Sequence, residues 1–232
     1  MEYRLLRARA RENLREHWGV SIGAMLLASI FGATLVSGGL NFNMNIDTEV
    51  LELLPTALAA SLAAATASFA TIASGLSLLG FILGGVVQLG YSKFLLAQHD
   101  GVEYQVKDLF SQFDRFAVGF LQKLLRSLYT FLWSLLLVIP GIIKHLSYAM
   151  TPYILADHPE MTAKQAIKLS QELMDGYKGD LFMLGLSFIG WDLLNLLTLG
   201  IGSFWLNPYK EATYAAFYRQ ILAERRYAYV EG

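Results

Sequence analysis

Between Glu16 and Asp47 no residue carries a formal charge apart from a proton on His17, and the 40 residues from Leu53 to Ser92 carry none at all. Stretches this long leave no polar stripe for a helix lying on a water-facing surface. A helix that crosses a hydrocarbon core about 30 Å thick, by contrast, needs about 20 predominantly apolar residues. Shorter charge-free stretches follow at 127–143 and 145–156, and Asp192 alone interrupts the run from Leu181 to Trp205. Composition points the same way: 16% of residues are charged and 55% hydrophobic, with mean hydropathy +0.43. A soluble domain carries about 25% charged residues, and one core of this size does not hide so much apolar surface. The fold class expected is therefore all-α, a polytopic integral membrane helical bundle with about six transmembrane helices and amphipathic interfacial helices, one membrane domain over 1–232. A net charge of −1 offers no field for nucleic acid, and the absence of Cys removes disulfides and thiolate metal sites.

The gaps place the spans. The first is Val20 to Leu40 and the second roughly Ile72 to Leu95, with the Ala-rich stretch 57–73 as an outer extension or a helix against the bundle. A hairpin of two spans follows, broken at Pro140-Gly141, with Pro152 as a further interruption. The fifth span ends in a turn at Gly200 and Gly202. The sixth runs from Ser203 to about Leu222 and contains Pro208, Lys210 and Glu211. The segments Ser147 to Tyr153 and Ser203 to Tyr209 resemble each other faintly, as a weak internal repeat or as chance recurrence of Pro-Tyr.

Lys and Arg bias loops to the cytoplasm, whereas acidic residues count little. Residues 1–18 hold five Arg, 93–126 five Lys or Arg, 157–180 three Lys and 207–232 four, together 17 of the 18 basic residues. The loop Asn41 to Thr56 has acids but no base, and only Lys144 lies near an outer turn. Six spans with both termini cytoplasmic satisfy this pattern, since five would export Lys210, Arg219, Arg225 and Arg226.

Residues 1–18 read as a basic amphipathic helix. Tyr3, Leu6, Ala10 and Leu14 share a face that would dip toward acyl chains, Arg4, Arg7, Arg11 and Arg15 would meet lipid phosphates, and Trp18 would sit at the inner headgroup level. A signal peptide is the rival reading, disfavoured by the length of the apolar region and the spans that follow. The cytoplasmic connector 157–180 contains a capping box, Thr162-Ala163-Lys164-Gln165, and then an amphipathic helix with Ala166, Ile167, Ser170, Leu173 and Met174 on one face, ended by Gly176. It serves as a connector packed under the bundle or as a docking surface for a protein partner.

No phosphate loop, metalloprotease helix or nucleophile elbow is present, and the four His are scattered, so no enzyme, cofactor or metal is expected. Small residues at four-residue spacing, Ala24-Ala28-Gly32 and Gly80-Gly84, suit close helix packing, internal or in a homo-oligomer. Charges inside spans are costly and tend to pair or mark a pathway. Asp192 and Lys210 lie at similar depths, about 12 and 15 Å, on the two arms of the turn at Gly200. With Glu211 as a competing carboxylate and Lys144 as the other exception, they are the candidate intramembrane polar site, as a structural lock or as a proton- or substrate-sensitive site.

Arg7 to Leu14, Trp18-Gly19, Ile139-Pro140-Gly141-Ile142-Ile143-Lys144, Met150 to Asp157, Ala166 to Ser170, Phe188 to Trp191 and Asn207-Pro208-Tyr209, in that order, resemble the domain of unknown function 975 family. The resemblance implies an all-helical bundle in a bacterial plasma membrane and supplies no activity. The leading expectation is a non-enzymatic accessory or scaffold protein whose partners are the bilayer and a protein on the cytoplasmic face; the alternative is a transporter or permease with a polar site between broken helices near Asp192 and Lys210.

Overall fold

The computed structural model describes residues 3–15, 17–30, 80–198 and 200–231. The outer loop, the Ala-rich stretch, the second half of the first span and Gly32 lie outside them. All regular structure among the described residues is helical: α1 Tyr3–Leu14, α2 Trp18–Ile30, α3 Gly80–Asp100, α4 Phe116–Leu136, α5 Val138–Ser147, α6 Thr151–Asp157, α7 Ala163–Leu173, α8 Lys178–Leu186, α9 Ile189–Leu197 and α10 Ser203–Glu231, with two 3-10 turns at Val106–Phe110 and Phe113–Arg115.

Helix α3 is the one described helix long and apolar enough to cross a membrane, and most of it is buried. Helix α4 is also 21 residues long but carries Lys123 and Arg126. Helices α5, α6, α8 and α9 have 10, 7, 9 and 9 residues. None exceeds about 15 Å, half the hydrocarbon thickness. The uninterrupted span expected from Leu181 is thus two short helices, α8 and α9, broken at Ser187-Phe188.

The turn expected at Pro140-Gly141 falls three residues earlier, at Leu137, whose backbone is extended (φ −161°, ψ 147°). Its N–H donates to Trp133 O (3.2 Å) and its carbonyl accepts from Gly141 N (3.3 Å), so this residue leaves no backbone group free. Pro140 sits in the first turn of α5, where an N–H would go unbonded in any case. Gly141 is likewise inside α5, and the helices close there: a Cβ at Gly141 would stand 2.1 Å from Ser134 Oγ. Pro152 starts α6 rather than breaking it. Pro208 lies inside α10, which continues through it; the ring falls in the second turn, and buried neighbours on both sides hold the segment. Gly200, at φ +86°, does make the turn before α10.

Helix α10 is the spine of the bundle. Ala212, Thr213, Ala215, Ala216, Phe217, Tyr218 and Ile221 are all buried, which is why this helix shows no amphipathic pattern. Helix α1 packs along it, with Leu6, Ala10 and Leu14 fully buried. The apolar face read as lipid-facing therefore belongs to the core. Helix α7 behaves similarly: Thr162 accepts from Gln165 N, Gln165 Oε1 accepts from Thr162 N (2.9 Å), and Ala163, Ala166, Ile167, Ser170 and Leu173 are buried against α4 and α6. Gly176, at φ +85°, follows as the left-handed cap, and Arg225 donates to the carbonyls of Glu172 (2.9 Å) and Asp175 (2.8 Å).

The apolar surface left over is concentrated at two hairpins. At the α4–α5 turn, Leu135, Leu136, Leu137, Val138 and Ile139 are 67–73% exposed in unbroken succession. At the α9–α10 turn, Leu193, Leu197, Ile201 and Trp205 are exposed, Leu197 by 79%.

Candidate functional site

The four residues of the expected polar site do not converge. Asp192, in the first turn of α9, and Lys210, in α10, do meet: Lys210 Nζ donates to Asp192 Oδ1 at 2.5 Å. The pair is asymmetric, with the Lys210 side chain 9% exposed and that of Asp192 48%. The Phe188 ring covers the ammonium, its centroid 5.7 Å from Nζ. Glu211 is buried, and its charge bears on Tyr91, Tyr153 and Tyr214. Lys144 stands on the other hairpin, with Nζ 4.9 Å from the Trp133 ring centroid.

Beside the Asp192–Lys210 pair, α1 supplies the Arg7 guanidinium and its backbone carbonyl. Tyr3 Oη donates to Asp180 Oδ1 (2.8 Å), a bond that holds the phenol above its ordinary pKa. Arg7 donates to Ser187 O (3.3 Å) and lies over Phe188, 5.5 Å from its centroid. Phe188 meets Tyr209 edge to face at 5.5 Å, and Tyr209 donates back to Arg7 O (3.3 Å). Arg7, read as a lipid-phosphate contact, is thus turned into the fold, while Arg4, Arg11 and Arg15 remain exposed.

A second lock, which the sequence reading did not single out, lies farther along α10. Arg219 bridges two carboxylates, Asp100 at the end of α3 and Asp157 at the end of α6, each at 2.5 Å. Tyr218 also donates to Asp157 (3.1 Å). A planar guanidinium with five donors suits such a double acceptor. The signal available was Asp157 at the end of Met150 to Asp157, an acid at a helix C-terminus, where the dipole disfavours it unless a cation answers.

The mainly apolar core also holds polar groups. Gln122 donates to Gln88 Oε1 (3.2 Å). The hydroxyls of Tyr91 and Tyr153, Gln122 Oε1 and Arg126 Nη1 are buried and have no hydrogen-bond partner among the described residues.

Two cavities flank the corner where α1 gives way to α2. One, of about 550 Å³, is polar and includes Glu12, Asn13, Arg15, His17, Gln98 and Glu103. The other, of about 480 Å³, is walled by Trp18, Trp191, Trp205, Leu194, Leu206 and Tyr209, with Arg11, Asn195, Thr198 and Gly202 completing it. Neither is lined by Asp192 or Lys210. The corner is fixed against the charged end of α3, since Gln98 donates to Ser21 Oγ (2.7 Å) and Asn13 meets His99 (3.3 Å). The turn at Gly200, expected at the outer face, therefore shares a cavity with Trp18, expected at the inner headgroup level.

These features define an all-helical bundle with some polar side chains buried in a mainly apolar core, ionic locks between helices and an apolar exterior at its hairpins. Residues 135–225 match the family model described as Protein of unknown function (DUF975), the family that the ordered motifs resemble. The matched segment contains both apolar hairpin turns, Asp192, Lys210, Asp157 and Arg219; the Arg7 to Gly19 motifs lie before it. No curated protein and no solved structure matches the chain.

Proposed function

We propose that this chain is an integral protein of the bacterial plasma membrane with both termini cytoplasmic, acting non-enzymatically as an accessory or scaffold component. Its six membrane segments are α2, α3, α4, the broken pair α5–α6, the broken pair α8–α9, and α10. The observation that carries the membrane placement is the unbroken run Leu135 to Ile139, five apolar side chains at least two-thirds exposed at a turn. In water a contiguous patch of this kind drives association, whereas acyl chains solvate it without cost. The accessory role is supported by how paired ionisable groups are used: Lys210 with Asp192, and Arg219 with Asp100 and Asp157, each join separate helices. The faces of α1 and α7 that suit a docking helix are already spent on the core, which directs a partner to the remaining surface.

The Tyr91, Tyr153 and Gln122 atoms that lack a partner among the described residues, together with four helices of ten residues or fewer among those residues, favour a second reading as a transporter, in which broken helices surround a polar site. Crosslinking in native membranes, followed by affinity purification in mild detergent, separates the two. A protein recovered in fixed stoichiometry supports the accessory role. A retained small solute that the reconstituted protein also moves into vesicles replaces it with transport.

A further inference from the structure

The 480 Å³ cavity between α1, α2 and the α9–α10 hairpin has two kinds of lining. Its walls are three indoles and two leucines. Its one charged member is Arg11, exposed at the edge, with the guanidinium carbon 5.8 Å from the Tyr209 ring centroid. No carboxylate among the described residues pairs with Arg11, and the nearest acid in sequence to the indoles, Asp192, is taken by Lys210. Asn195 Oδ1 is a buried acceptor without a partner among the described residues. Gly202 keeps the space beside it open, since a Cβ there would stand 2.9 Å from that oxygen.

A cation with no carboxylate partner among the described residues, at the mouth of an apolar, aromatic cavity, is complementary to an amphiphile with one anionic head. A free anion has no use for indole walls, and an apolar peptide has none for the guanidinium. We infer that this cavity binds an anionic phospholipid of the surrounding bilayer, phosphate at Arg11 and acyl chain along Trp18, Trp191 and Trp205. Indole rings and Arg are the side chains that membrane interfaces favour, and the volume is that of a small amphiphilic ligand's site. The inference rests on the membrane placement proposed above.

The indoles themselves provide the readout. The chain has four Trp, so W133F leaves only the three that line the cavity. The W133F protein is reconstituted in phosphatidylcholine bilayers containing a small fraction of either dibrominated phosphatidylglycerol or dibrominated phosphatidylcholine. At equal mole fraction the anionic lipid is expected to quench about fivefold more effectively, the preference one cation near a membrane surface supplies. R11Q brings that ratio to about one and R11K retains most of it; Leu194→Asp, which keeps Arg11 but adds a carboxylate to the wall, lowers it as well. Circular dichroism verifies that each variant keeps its helix content. Equal quenching by the two lipids, or a ratio indifferent to R11Q and Leu194→Asp, overturns the lipid site and leaves the membrane placement standing. Absence of quenching by either lipid overturns the membrane placement itself.

Discussion

Lys210 and Asp192 illustrate how exposure decides which half of an ion pair matters. The ammonium is enclosed while the carboxylate is half in solvent. Removing one partner of a fully buried pair costs about 3–5 kcal/mol, because it strands the other charge. D192N strands the enclosed ammonium and is expected to cost about 2 kcal/mol after allowing for its exposed side. K210M leaves a carboxylate that water can solvate, and should cost less than about 1 kcal/mol. Thermal unfolding in detergent checks the order, and a lower midpoint for K210M than for D192N would remove the ammonium from the argument. The double reversal D192K/K210D should recover most of what K210D alone loses. Arg219 obeys a different rule: R219K keeps the charge but not the fork that spans Asp100 and Asp157, and should still lose about 1–2 kcal/mol. A charge standing inside an apolar segment advertises itself, so the Asp192–Lys210 pair was legible. Arg219 lies where charges are ordinary, and its partners are 119 and 62 residues away; only the fold shows that it is shared.

At the scale of elements, local chemistry was readable and tertiary interruption was not. The box at Thr162 and Gln165 closes within four residues, and T162A is expected to cost about 1 kcal/mol by thermal melting. The break between α8 and α9 lies between Gly185 and Gly190, neither of which takes the left-handed backbone that marks a turn at Gly176 and Gly200. It falls where Ser187 turns its carbonyl to Arg7 from the far end of the chain. Beside the small-residue stripe read at Gly80 and Gly84, α3 and α4 close on each other at Gly85 and Gly119. A Cβ on Gly85 would stand 2.1 Å from Gly119 O, and one on Gly90 would stand 2.1 Å from Leu109 O. Backbone faces backbone at both points, so nothing flexible can yield. G85A is expected to force the helices apart at about 2–3 kcal/mol, while G23A, with no atom of the described residues within 4 Å of the added Cβ, gains helix propensity instead. Melting midpoints of the two variants should move in opposite directions; a tolerated G85A would show that the crossing can slide.

The topology of the whole molecule is where charge counting alone is ambiguous. Residues 93–126, 157–180 and 207–232 hold five, three and four of the Lys and Arg residues, so in the proposed orientation the α4 to α6 and α8 to α10 units each begin and end on the cytoplasmic side whether their turns cross the bilayer or stop within it. Two structural facts distinguish these cases. Leu137 is surrounded by exposed apolar side chains and has its own N–H and C=O bonded, so this residue itself presents no unsatisfied backbone group to hydrocarbon. Thr198 lines a cavity with Trp18, at a corner anchored to Gln98 and His99 by Ser21 and Asn13, so its turn lies near the level of the charged end of α3. The natural absence of Cys makes any introduced thiol unique. In intact cells a membrane-impermeant maleimide should label a Cys at Asn43, in the acidic outer loop, but not one at Val102, Leu137 or Thr198. In inverted vesicles Val102→Cys and Thr198→Cys should label, and Leu137→Cys should react only after detergent is added. Labelling of Thr198→Cys from outside would carry the last hairpin across the whole bilayer, separate its turn from Trp18, and dissolve the cavity that both are required to form.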